Sequence, residues 1–396
     1  FIGSVSAEEI NDTVAIENTD LSVSDTLETI SVNENVEINT STENNFEVVE
    51  TNNLGNESNE VSSVATTTVT VKTFQGIKDV IDSATAGDTI KLTGTYIGSG
   101  AHIYVNKNLN FVGQNSATLD AKSLSRIISI TSSVKVTFTD ITFKNGKLEE
   151  YSSGGAVYIR QGSGYFTNCN FTSNAVTTSY GGAVFIYGGT SGNFTNCTFT
   201  SNTASSEGGA VCIYSSGSGN FTNCTFSDNV SDKNKEVIFM SGDSSSLFLR
   251  GNSIVTNSTP IYIDSGVVTS STVLVVLNNQ TVKSPVNTQI DITAVLYDDN
   301  GNIIGSNTGI TLNVVGSSLT ASFNRDNLNY SVSYTPTVSG VFPVSGTVPT
   351  TVANNVTEYK NGTLIIGITT LSVDLTVNNT NPVVDLSLIH ISEPTR

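Results

Sequence analysis

Between residues 154 and 234 one pattern of apolar and polar positions runs three times at a period of 27: GGAVYIRQGSGYFTNCNFTSNAVTTSY, GGAVFIYGGTSGNFTNCTFTSNTASSE and GGAVCIYSSGSGNFTNCTFSDNVSDKN. Each copy has a Gly-Gly-Ala-Val-x-Ile strand pattern, a Gly/Ser turn, a Phe-x-x-Cys-x-Phe stretch, and an Asn three residues past the second Phe. Alternating β-branched and aromatic residues between turn residues predict short strands. A unit this short cannot enclose a core, so the copies must stack on one another. Three short strands and three turns fit in each copy, which is one turn of a parallel β-helix.

In such a stack each residue lies about 4.8 Å above its equivalent in the previous coil. Phe166, Phe194 and Phe221 then form one ladder, and Phe171, Phe199 and Phe226 a second. Asn174, Asn202 and Asn229 form a third, with amides able to bond along the stack. Cys169, Cys197 and Cys224 form a fourth. Parallel Cβ vectors suit a disulfide poorly, and three stacked thiols cannot all pair, so inert buried thiols are expected.

The pattern extends on both sides. In TFQGIKDVIDSATAGDTIKL, Phe74, Ile77, Val80, Ile81 and Ala84 fall at helical spacing, predicting a cap helix over residues 73–85 before the strands begin. Such a cap covers a core and strand edges that the first coil would leave open. Strand patterns follow at 102–105, 109–112, 127–130 and 136–143, and continue beyond the copies to about residue 266. The β-helix is therefore expected over 69–272, with about seven coils. After it come alternating strands separated by turns such as Asp298-Asp299-Asn300-Gly301, predicting an immunoglobulin-like β-sandwich over 273–368. Leu274-Val275-Val276-Leu277-Asn278-Asn279 returns as Asp374-Leu375-Thr376-Val377-Asn378-Asn379, so 369–385 reads as the start of a second such repeat. Residues 386–396, LSLIHISEPTR, resemble a translated sequencing adaptor and are read as an artefact.

Charge changes this picture at one end only. Of 35 Asp and Glu, 14 lie in residues 8–68, which hold no Lys or Arg; the remaining 21 meet 17 basic residues. Residues 8–68 are expected to form a disordered, self-repelling acidic spacer. No basic stripe exists to neutralise phosphates, which argues against nucleic acid. FIGSVSA, residues 1–7, reads as the remnant of a secretory signal, implying export. No apolar run is long enough to span a membrane as a helix.

Candidate chemistry is sparse. With Val157, Val184, Val211 and the Ile two positions on facing inward, the opposite parity faces out. It presents Tyr158, Phe185 and Cys212, then Arg160, Tyr187 and Tyr214. An outward stripe of Tyr158, Arg160, Phe185, Tyr187 and Tyr214 can stack on sugar rings or a partner surface, or can simply stabilise the sheet. Polysaccharide lyases and hydrolases need paired carboxylates or a base beside Ca²⁺-binding acids. The acids of the coils (Asp140, Glu149, Glu150, Glu207, Asp228, Asp232, Glu236 and Asp243) neither repeat at the coil period nor pair visibly with Lys or Arg. His102 reads as structural, Asp298–Gly301 as a hairpin turn rather than a Ca²⁺ loop, and no metal, cofactor or catalytic residue is expected.

The GGAV and FTNCTFTSN units resemble repeats of chlamydial polymorphic membrane proteins, and more closely the adhesin-like surface proteins of host-associated methanogenic archaea. FQGIKDVIDSATAGDTIKLTGTYIG followed by VNKNLNFVGQ is similar to the entry into their pectin-lyase-like, right-handed β-helix. The resemblance implies an all-β chain, a right-handed parallel β-helix followed by an Ig-like sandwich. It also implies an exported, monomeric rod at the cell surface that attaches to host or neighbouring-cell glycans or proteins. A carbohydrate-active enzyme is the alternative.

Overall fold

The computed structural model describes residues 64–149, 152–232, 236–256 and 259–367, together with the backbone of three strands, Ile30–Ser31, Val36–Thr40 and Phe46–Glu50. Those three pair antiparallel. The rest of the spacer before residue 64, the signal remnant at 1–7, the second repeat at 369–385 and the adaptor-like tail at 386–396 lie outside the described residues.

From Thr66 onward the chain winds into a parallel β-solenoid. Its first face stacks Ile103–Val105, residues 128–130, residues 157–159, Val184–Tyr187, Val211–Tyr214, Ile238–Ser241 and Ile261–Ile263. A second face aligns Ile90, Phe111, Phe138, Phe166, Phe194, Phe221 and Leu249. A third aligns Tyr96, Leu119, Phe143, Phe171, Phe199, Phe226 and Ile254. Beyond the three strands expected per coil there is a fourth, two residues long, at Lys147–Leu148, Ala175–Val176, Thr203–Ala204 and Val230–Ser231.

The corners follow from local chemistry. Asn168, Asn196 and Asn223 take left-handed φ of 53°, 53° and 52° between the second and third faces. Asn tolerates this conformation better than other non-Gly residues, which is why each copy reads Phe-Thr-Asn-Cys. The first glycine of each pair, Gly154, Gly181 and Gly208, has φ of 73°, 67° and 70°. A Cβ there would lie 2.3 Å from the carbonyl oxygen of Val157, Val184 or Val211, so the Gly is obligatory at that turn.

Inside, the ladders form as the period requires and extend further than the three copies. Phe111, Phe138, Phe166, Phe194 and Phe221 stack with ring centroids 4.8–5.0 Å apart. Phe143, Phe171, Phe199 and Phe226 stack at 4.6–4.9 Å, and the two ladders meet edge-to-face, as at Phe166–Phe171 (5.5 Å). Each stacked pair adds about 0.5–1.5 kcal/mol beyond burial. The buried Asn174 donates Nδ2 to Phe143 O (3.1 Å) and to Asn202 Oδ1 (3.0 Å). Asn202 repeats the arrangement with Phe171 O (3.0 Å) and Asn229 Oδ1 (2.8 Å), while its own Oδ1 also accepts Asn174 N–H (3.0 Å). The amides thus supply partners to backbone that leaves the sheet at this corner.

Both ends of the stack are closed. At the start, helix α1 (Phe74–Ser83) is capped by Thr73, whose hydroxyl accepts the Gly76 N–H, and buries Phe74, Ile77 and Ile81 in the core. Lys107 Nζ donates to the carbonyls of Ile81, Asp82 and Ala84 (2.9, 2.9 and 2.7 Å) and so closes its C-terminal end.

The other end corrects the boundary expected at residue 272. Residues 272–366 form a largely antiparallel module of nine strands, with Leu274 and Val276 packed against Leu312 and Gly346. One of its excursions, Ile304–Ser306, leaves the module and adds a parallel strand to the first face, Ile304 beside Ile261. The turn before it binds open backbone of the last coil. Asn300 and Asn302 donate to Asn252 O (2.6 and 2.8 Å), Asn302 Oδ1 accepts Ile254 N–H (3.1 Å), and Asp299 Oδ2 accepts Gly251 N–H (3.0 Å). The solenoid therefore reaches residue 306, and the Asp298–Gly301 turn is part of its seal. Sequence reading missed this because an end coil has no repeat partner to reveal what completes it.

The thiols of Cys169, Cys197, Cys212 and Cys224 are free and buried. Hydrogen bonding to Cys169 pushes Cys197 up to about 12, and Cys224 and Cys212 are also raised, Cys212 by burial first. Two outcomes follow from this interior. Phe194→Ala should cost ~3–5 kcal/mol in urea denaturation and Asn202→Ala ~1–3 kcal/mol, whereas exposed Asn170→Ala should change stability by less than ~0.5 kcal/mol. At pH 8, a disulfide-exchange thiol reagent should leave the native protein unmodified and label all four cysteines after denaturation.

Candidate functional site

The outward side of the first face is an aromatic surface. Register places Tyr158, Phe185, Cys212, Phe239 and Tyr262 one above another, with Tyr187 directly below Tyr214 on the neighbouring column. Tyr158 stacks on Phe185 (5.8 Å), Phe185 meets Tyr187 (6.0 Å), and Tyr187 lies nearly parallel to Tyr214 (6.3 Å, 7°). Tyr180, from the loop entering its coil, spans Phe185 (6.3 Å) and Tyr214 (6.2 Å). The five residues singled out from the sequence therefore share one side of the solenoid but differ in access. Tyr214 and Arg160 are exposed, Tyr158 and Tyr187 are half-buried, and Phe185 is only 7% exposed. Phe185 belongs with Cys212, Phe239 and Tyr262 to a second small apolar cluster outside the sheet, because loop residues such as Tyr180 fold over it.

The ends of this surface each carry a buried or stacked arginine. Near the first coils Arg126 sits 4.8 Å from the Tyr158 ring and donates to Gly154 O (3.0 Å), Ser153 O (2.7 Å), and the hydroxyls of Ser129 and Ser152. Burial pulls its pKa down to about 10. Burial and the Arg126 charge hold His102 down at about 4, so that imidazole is neutral at pH 7.

Toward the last coils the surface opens into a groove of about 240 Å³ lined by Tyr180, Glu207, Tyr214, Phe239, Ser241, Tyr262, Asp264 and Arg325. Arg325 comes from the C-terminal module, and its guanidinium lies 3.6 Å over the Tyr262 ring. Its Nη1 reaches Glu236 Oε2 at 3.5 Å. Glu236 is fully buried; Oε2 also accepts the Ser231 hydroxyl (3.1 Å), and Oε1 has no hydrogen-bond partner. Desolvation raises its pKa, Arg325 and Ser231 oppose that, and the charge of Glu207 adds to the rise. Asp264 is oriented by Ser241 Oγ (2.9 Å) and by Asn307 Nδ2 (3.4 Å).

This overturns the expectation that the acids stay scattered. Glu207, Glu236 and Asp264 come from three successive coils, and the arginine beside them lies 89 residues from Glu236. A faint signal existed for two of them. Glu207 stands where the preceding copy has Tyr180, and Glu236 falls one period after Gly209, in the place of the second glycine. Arg325 had none, since only the packing of the module onto the solenoid brings it there. Asp140, Glu149, Asp228, Asp232 and Asp243 are not among the groove's lining residues; Glu150 lies outside the described residues. Among the described residues no group of three or more His, Cys, Asp or Glu side chains is arranged to hold a metal ion, and no helix is long and apolar enough to cross a membrane.

Fold and sequence together define a right-handed parallel β-helix of about seven turns. The family model described as right-handed beta helix region matches residues 126–308, a span that ends just past the strand contributed by the C-terminal module. No curated protein and no solved structure matches the chain.

The raised Glu236 carboxyl gives a pH signature. The native state holds its proton more tightly than the unfolded chain does. Its ionisation therefore destabilises the fold as pH rises above the ordinary glutamate range through the raised native value. Glu236→Gln should raise the melting temperature at pH 7 and change it little at pH 4, read by thermal unfolding at both.

Proposed function

We propose that the chain is a non-catalytic, exported rod of the cell surface that attaches to glycans of host or neighbouring cells. The observation that carries this reading is the stacked, partly exposed aromatic surface running along successive coils through Tyr158, Tyr187 and Tyr214. Flat aromatic faces bury the C–H faces of sugar rings while Tyr hydroxyls stay available for hydrogen bonds. Exposed Arg160, two residues after Tyr158 on the same strand, adds a donor at the rim. The repeats' resemblance to adhesin-like surface proteins supports the same reading. In it, the C-terminal module is an Ig-like sandwich, the first of a tandem. The rod acts as a monomer, with a glycan or a glycoprotein as its partner.

A carbohydrate-active enzyme is the second reading, favoured by one observation: Glu207 of the groove lies close enough for its charge to act on the buried Glu236, which is held toward its protonated form. A carboxylic acid beside a carboxylate is the pair that glycoside hydrolysis uses.

On a glycan array the full chain should be retained, and Tyr187→Ala or Tyr214→Ala should weaken binding about tenfold, the loss of ~1.4 kcal/mol of stacking, with the β-fold retained by circular dichroism. A blank array sinks the attachment reading. Reducing ends released from a polysaccharide panel by the wild type but not by Glu236→Gln would replace it with the enzymatic one.

A further inference from the structure

The aromatic stripe and the groove differ in what they can discriminate. Stacking accepts any sugar with an apolar face, whereas the groove adds fixed charges. A ligand entering it meets the Tyr214 ring, 39% exposed, backed by Tyr180 in a nearly parallel array. Around them stand the carboxyl groups of Glu207 and Asp264, with that of Glu236 next to the groove. The single guanidinium among them, Arg325, is already shared between the Tyr262 face and Glu236. Carboxylates accept hydrogen bonds from neighbouring hydroxyl pairs. They repel a further carboxylate, and like-charge contact is a strong means of rejecting a wrong ligand. The buried Oε1 of Glu236, behind the groove, is the kind of atom that a bridging water completes. A space of 240 Å³ falls below the ~300–1,000 Å³ typical of enclosed small-molecule pockets, and fits a ring or two of a longer chain.

From these observations we propose that the groove lined by Tyr180, Glu207, Tyr214, Tyr262, Asp264 and Arg325 is the specificity-determining subsite of the rod. It takes uncharged or amino-substituted sugar rings of a glycan and rejects uronates. The inference rests on the attachment reading, and it assigns the C-terminal module a direct part in recognition through Arg325, beyond sealing the solenoid.

Titration calorimetry of the full chain with mannohexaose, chitohexaose, a chitosan hexamer and hexagalacturonate tests it. At least one of the first three should bind, with hexagalacturonate at least tenfold weaker. Tyr262→Ala and Asp264→Asn should each weaken the binder about tenfold, while Lys144→Gln, exposed on the third face, should leave it unchanged. Glu207→Gln should narrow the discrimination against hexagalacturonate. Because Tyr262 is largely buried, Asp264→Asn, at an exposed side chain, keeps the test open if Tyr262→Ala unfolds. Hexagalacturonate binding as tightly as the others overturns the assignment of sugar class. Binding untouched by Asp264→Asn and Glu207→Gln but lost in Tyr187→Ala moves the site out of the groove and leaves the attachment reading standing. Failure of all four probes together with a blank glycan array overturns both; failure of the four beside a positive array overturns the groove alone.

Discussion

Parallel stacking of coils at the ~4.8 Å strand spacing is the constraint on which the rest of this molecule depends. It requires every coil to place a similar side chain at a similar height and every corner to bend in the same way. Residues that do both recur: Phe on the second and third faces, Asn where the backbone turns left-handed, and Gly where a Cβ would strike a carbonyl. The same constraint explains the thiols. A small apolar side chain fits next to the αL corner, and successive Cys lie too nearly parallel to bridge. Regular positions in such a stack are therefore commitments to shape.

A stack of this kind carries a cost at each end, where a whole coil of backbone groups and a slice of core lose their neighbour. The chain resolves the two ends differently. A ten-residue amphipathic helix, itself tied down by Lys107, covers the first. At the second, the following module lends a strand and a turn whose Asn and Asp side chains bond to the exposed backbone. Tyr330 holds that strand from behind through Ile304 O (3.1 Å), and Gly305 leaves room for the Phe323 ring, which continues the outer aromatic column past Tyr262. Closure and site formation are consequently one event, because the docking that seals the solenoid also lays Arg325 across Tyr262 and beside Glu236.

The charged groove sits where the repeat breaks down. Within the regular copies, substituting a ladder residue disturbs two neighbours at once, so chemistry can enter only at outward positions or where the stack ends. Glu236 illustrates this. In the previous coil Gly209 admits no Cβ, since the short fourth strand at Val230 crowds it. Among the described residues that fourth-strand column ends at Val230–Ser231, and the position equivalent to Gly209 then holds a carboxyl turned toward Ser231 and Arg325.

The amino-acid sequence by itself determined the periodic part of the protein: the coil length, the inward and outward parity of each strand, the Phe, Asn and Cys ladders, and the cap helix. These are consequences of local φ/ψ preference and of a repeat that displays its own neighbours, so both causes are written in consecutive residues. It also marked the outer aromatic stripe, though not that Phe185 would be covered by Tyr180. Tertiary structure alone decided how the solenoid is closed at residue 306 and which acids meet. Glu207, Glu236, Asp264 and Arg325 are distant in sequence, occupy positions where the repeat is broken, and are joined by the docking of a non-repeating module. No periodicity carries that information, because the contact exists once.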